Sequence, residues 1–140
     1  MKSAGFSCDE IKVSTRNGRD VTVLEPFTYT TLAGEVLTVA AGVESDGAST
    51  PQVLWSTGLA PFGIYWPGAV VHDNLYRYQG RPKEFCDDVL REIMQRLGVD
   101  RRTEEIIYSG VYLGGQQAYD EDQVVRDSAC REAFVEGERL

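Results

Sequence analysis

His72 is the only histidine in the chain, and Asp73 follows it directly. An imidazole titrates near neutral pH, so it can take up and return a proton during a reaction. A neighbouring carboxylate can orient it, stabilise its charged form or hold a hard cation. Tyr76 comes one helical turn after His72. At 3.6 residues per turn the two side chains share a face, while Asp73 points about 100° away. Asp87 and Asp88 lie further along. If the chain reverses at Gly80-Arg81-Pro82, the segment carrying them packs antiparallel to the first. Either carboxylate can then approach the histidine, fix its tautomer and stabilise an imidazolium. Asp73 can instead bind a hard cation beside loop carbonyls from Phe62 to Tyr65.

A single histidine removes several chemistries. HExxH metalloproteases and three-histidine zinc sites need more imidazoles than one chain holds here. No Gly-x-Ser-x-Gly elbow is present for a serine nucleophile. Cys86 could pair with His72, without local sequence support. The cysteines, Cys8, Cys86 and Cys130, are odd in number and contain no Cys-x-x-Cys. A zinc site of all three with His72 would draw its ligands from four distant segments, so free thiols are the simpler reading.

The elements that must position these groups divide the chain into three stretches of one domain: β-rich over 10–45, loop-rich over 46–67 and helical over 68–135. Asn17-Gly18 is a tight-turn signal between Ile11-Lys12-Val13 and Val21-Thr22-Val23-Leu24. Val21, Val23, Phe27 and Tyr29 alternate with threonines, the period of a half-buried strand. Ala33-Gly34 turns the chain into Glu35–Val39. A small antiparallel sheet or meander follows. The loop from Glu44 places Thr50 as an N-cap before Pro51, with a short helix through Val53-Leu54-Trp55. Helices are then expected from Ala69, from Arg81-Pro82 to Gly98, from Asp100 or Thr103, and from Gln123 to Phe134. Phe85, Val89, Ile93 and Leu97 mark the buried stripe of the second, and Ile106, Ile107, Val111 and Leu113 the apolar positions of the third. Strands followed by three or four helices argue the α+β class.

The chain has 140 residues and a formal net charge of −8, with sequence pI ≈ 4.6. That field repels phosphate backbones, so nucleic-acid binding is not expected. No apolar run is long enough for a membrane span or a secretory signal, which points to synthesis in the cytoplasm.

Four segments in fixed order carry a family resemblance. They are Ser45-Asp46-Gly47-Ala48-Ser49-Thr50-Pro51, Trp55, Pro61-Phe62-Gly63 and Ala69-Val70-Val71-His72-Asp73-Asn74-Leu75-Tyr76. Together they resemble the phage and prophage domain-of-unknown-function family 1353. That resemblance implies a bacteriophage origin. Taken with the compact size and the aromatic loop, it suggests a tail, baseplate or assembly component with phage structural proteins as partners, first in the host cytoplasm and then in the virion.

More locally, His72-Asp73-x-x-Tyr76 with a downstream carboxylate resembles the core of phospholipases A2. It implies a Ca2+-dependent hydrolase acting on a lipid or envelope ester, with His72 as general base, Asp88 and Tyr76 as its orienters and Asp73 on the metal. Asp46, Ser49, Phe62 and Gly63 are then the loop residues expected to line the site. The plainer alternative is a helix-end histidine bonded to the Asp46 loop. On that reading Asp46-Gly47 forms an Asx turn and Asp87-Asp88 a solvated face in which Asp87 pairs with Arg91.

Overall fold

A computed structural model describes residues 2–15, 20–45, 64–114 and 119–120. Within them, alternation builds the sheets. β1 (Val13–Thr15), β2 (Val21–Val23) and β5 (Glu44–Ser45) form one antiparallel sheet in the order β1-β2-β5, with Val13 opposite Val23 and Val21 opposite Ser45. β3 (Phe27–Thr30) and β4 (Val36–Val39) form a separate hairpin with Phe27 opposite Val39. Val21, Val23, Phe27, Tyr29, Leu37 and Val39 point inward. Phe6 adds a bridge to Tyr29 and packs on its ring at 5.1 Å.

The strands form two small sheets rather than one meander. The chain leaves the first ladder after Val23 and passes through Pro26, which has no N–H to continue it. Glu44-Ser45, at the end of the β-rich stretch where the loop begins, closes the first sheet. The turn at Ala33-Gly34 is present, with Gly34 at φ +94, a conformation that favours glycine. The Asn17-Gly18 turn, the Thr50-Pro51 cap, the helix through Trp55, the Gln123–Phe134 helix and Cys130 lie outside the described residues.

α1 (Trp66–Asn74) is the central helix. Every residue from Pro67 to His72 is buried, as befits a helix without a polar face. It runs on into a π turn, Leu75–Gln79, and Gly80 stops it at φ +61. α2 (Lys83–Arg96) returns antiparallel to it, burying Cys86, Asp87, Val89, Leu90, Ile93 and Met94, with Phe85 and Leu97 half-buried. Gly68 permits this approach. A Cβ there would stand 3.1 Å from both Leu90 Cδ1 and Ile93 Cγ2.

Gly98, at φ +79, turns the chain away after α2, and Asp100 caps α3 (Arg101–Gly114) by accepting the Thr103 N–H at 3.0 Å. Along α3, Ile107 is buried and Val111 half-buried, whereas Ile106 and Leu113 face solvent. They fall on the flank of the helix opposite the one that meets α2. No helix among the described residues is long and apolar enough to cross a membrane.

Polar ties fix the sheets to the helices. Tyr29 Oη donates to Glu92 Oε1 at 2.5 Å, Arg96 Nη1 donates to Thr30 O at 3.0 Å, and Asn74 Nδ2 donates to Thr38 O at 3.1 Å. Strands followed by a helical layer make this an α+β fold.

Candidate active site

The helical period and the α1–α2 hairpin together build one buried polar cluster. On α1, His72 and Tyr76 stack one turn apart with ring centroids at 4.1 Å. On α2, Asp87 occupies the turn facing them. Its Oδ1 accepts from His72 Nε2 at 2.7 Å and from Tyr76 Oη at 2.5 Å. Its Oδ2 accepts from Lys83 Nζ at 2.6 Å. Asp87 is 1% exposed and His72 6%, so these bonds operate away from bulk water, where they are strong and their loss is costly. Tyr119 packs edge-on against the Tyr76 ring at 5.1 Å and donates to Arg81 O at 2.9 Å.

The other imidazole nitrogen faces a second carboxylate. Nδ1 of His72 stands 3.9 Å from Asp73 Oδ1, too far for a direct hydrogen bond and close enough for electrostatic attraction. Asp73 Oδ2 accepts from Ser45 Oγ at 2.5 Å, tying the site to β5.

Burial by itself would push the His72 pKa down. The negative charges of Asp73 and Asp87 and the hydrogen bond to Asp87 outweigh it and raise the imidazole above its ordinary range. Burial likewise pushes Asp87 up, but hydrogen bonds from His72, Lys83 and Tyr76 hold it below the ordinary carboxylate range. Burial, then the bond to Asp87, raises the Tyr76 phenol, which therefore stays a neutral donor. With Nε2–H committed to Asp87, neutral His72 keeps its lone pair on Nδ1. The arrangement can accept a proton at Nδ1 and stabilise the resulting imidazolium through Asp87.

His72, Tyr76 and Asp73 are brought together as their spacing suggests. The carboxylate that reaches the imidazole is Asp87, which corrects the assignment to Asp88. Asp88 is exposed and accepts from Tyr108 Oη at 3.0 Å. Nor does Asp87 pair with Arg91, which binds Glu104 at 2.9 Å and lies over the Tyr108 ring. Helical phase carries the signal for this. Asp87 stands three residues before Leu90 and seven before Met94, on the buried stripe, while Asp88 stands beside the polar row of Arg91 and Glu92.

Two further members, Lys83 and Ser45, escape sequence reasoning. Lys83 reads as an ordinary first-turn residue, and Ser45 as the small polar residue where the loop begins. The loop residues Asp46, Ser49, Phe62 and Gly63 lie outside the described residues. Cys86 does not pair with His72 as a nucleophile. Burial and the adjacent Asp87 push its thiol up to about 12, and it donates weakly to Arg81 O at 3.7 Å. Among the described residues no group of three or more His, Cys, Asp or Glu side chains is placed to hold a metal ion. Asp73 would supply one carboxylate to a cation.

A family model described as "Protein of unknown function (DUF1353)" matches residues 21–111. The span contains Ser45, His72, Asp73, Tyr76, Lys83 and Asp87. No curated protein and no solved structure matches the chain.

Proposed function

The chain belongs to the DUF1353 family, and from its buried His72 cluster we propose that it is a small hydrolase that activates water for attack on an ester. The carrying observation is that Asp87 binds His72 Nε2 at 2.7 Å and is itself held by Tyr76 and Lys83. Nδ1 of His72 takes a proton from water as the oxygen attacks the ester carbonyl. The imidazolium then gives that proton to the departing alkoxide. Asp87 and Tyr76 orient the ring, and Asp73, held by Ser45, faces Nδ1 as a carboxylate that can bind a cation such as Ca2+. The resemblance to phospholipases A2 supports a lipid or envelope ester as the substrate class.

The test is hydrolysis of short-chain and long-chain esters and of phospholipid vesicles, with and without Ca2+, by the wild type and by His72→Gln. Hydrolysis lost in the variant, with an unchanged circular dichroism spectrum, is the expected result. An inactive wild type, or equal rates in both, overturns the reading.

A second reading is an interaction module of a phage virion. It is favoured by apolar side chains left in solvent on α3, where Tyr112 is 59% exposed and Leu113 79%. It predicts co-purification with assembled particles, and absence from particles and assembly intermediates removes it. The two readings are compatible, since a particle can carry an enzyme.

A further inference from the structure

Lys83 joins two parts of the molecule that are distant in sequence. The last four carbonyls of an α-helix have no N–H within the helix to accept from. Val111 and Tyr112 fall in that final turn of α3, and Lys83 Nζ donates to their oxygens at 3.0 and 3.3 Å. Its remaining donor goes to Asp87 Oδ2 at 2.6 Å. An ammonium has three donors, so all are used. The side chain is 13% exposed, and the negative end of the helix dipole adds to the attraction. Asp87 thus has one oxygen anchored to a cation that α3 holds in place. Its other oxygen is left to receive the His72 and Tyr76 donors.

We propose that Lys83 is a positioning residue coupling the C-terminal turn of α3 to the His72–Asp87 pair, so that the order of that turn and the hold on the imidazole rise and fall together. Coupling of this kind is reciprocal. Among the described residues Asp87 bonds His72, Tyr76 and Lys83, and Lys83 carries that network to the last turn of α3. A change at Asp87 should therefore loosen the end of a helix that it does not itself bond. The consequence for turnover rests on the hydrolase reading, while the coupling itself does not.

The experiment is amide hydrogen exchange by NMR on the full chain, with the His72 imidazole N–H proton followed in the same samples. The variants are Asp87→Asn, Lys83→Met and Lys83→Arg. In Asp87→Asn and Lys83→Met, amides in the last turn of α3 should exchange about tenfold faster, the scale of one lost charge-assisted hydrogen bond. Amides of α1 and of the β3–β4 hairpin that exchange through global unfolding should accelerate only by the loss of stability that urea unfolding of the same variant measures. The imidazole N–H should lose protection in Lys83→Met and regain most of it in Lys83→Arg.

Unchanged exchange at the α3 end in Asp87→Asn, or acceleration there that vanishes once exchange through global unfolding is subtracted, overturns the coupling. So does an imidazole N–H indifferent to Lys83→Met. If Lys83→Met does not fold, Asp87→Asn and Lys83→Arg decide the matter. A wild type without esterase activity would defeat the proposed reaction and leave these exchange results standing.

Discussion

His72 and Asp87 lie fifteen residues apart in sequence, and Nε2 of the one meets Oδ1 of the other at 2.7 Å inside the α1–α2 hairpin. Two buried groups that share a proton do not tolerate independent change. Each would be costly to bury alone, and each holds the other in its charged form.

Asp87→Asn should therefore act on both stability and turnover. Breaking one partner of a buried pair costs about 3–5 kcal/mol, and a misheld imidazole should lower hydrolysis by about a hundredfold or more. Asp88→Asn is the paired control. At that exposed position stability should stay within about 0.5 kcal/mol of the wild type. Urea unfolding and initial rates on both variants check this, and equal effects would place the pair wrongly.

Stability should peak in weakly acidic solution. The raised His72 pKa contributes stability that is complete below the unfolded value of about 6.5 and lost as pH rises through the folded value. The lowered Asp87 pKa contributes stability that is complete above the unfolded value of about 3.9 and lost as pH falls through the folded value. The favourable window lies between those two unfolded values. Thermal unfolding across pH measures it, and a maximum well above neutrality would contradict the pairing.

Tyr76→Phe removes one donor to Asp87 and keeps the ring against His72 and Tyr119. A hydrogen bond to a charged group contributes about 1.5–3 kcal/mol, so a loss on that scale is expected in chemical denaturation. A neutral substitution would show that Tyr76 does not help to hold the carboxylate.

Gly68→Ala should separate the two helices. The added methyl meets Ile93 and Leu90 at 3.1 Å, and overpacking of this kind costs about 1–3 kcal/mol. The hydrolytic rate should fall although residue 68 contributes no side chain to the site. Full activity at reduced stability would show that the hairpin spacing is not what sets the His72–Asp87 distance.

Local pattern made much of this architecture legible. Alternating Val21, Val23, Phe27 and Tyr29 marked an inward β face, and Gly98 with Asp100 marked the end of one helix and the start of the next. The reach of His72 to Tyr76 follows from one helical turn. Less legible were features that depend on where segments meet. Asp87 and Asp88 differ only in helical phase, and the Ser45–Asp73 bond requires β5 to lie beside α1. Lys83 has its role because the end of a third helix passes over it. The split into two sheets turned on Pro26, whose missing N–H outweighed the continuous alternation on either side.

The most direct test of His72 as the proton acceptor uses its uniqueness in the chain. One NMR titration gives the pKa of the only imidazole, and the pH dependence of kcat/KM gives that of the essential base in the free enzyme. The rate should rise with pH and level off, with a midpoint that coincides with the imidazole titration above its ordinary value of 6.5. A rate that stays flat through the titration of His72, or rises only after the imidazole is already neutral, would contradict it.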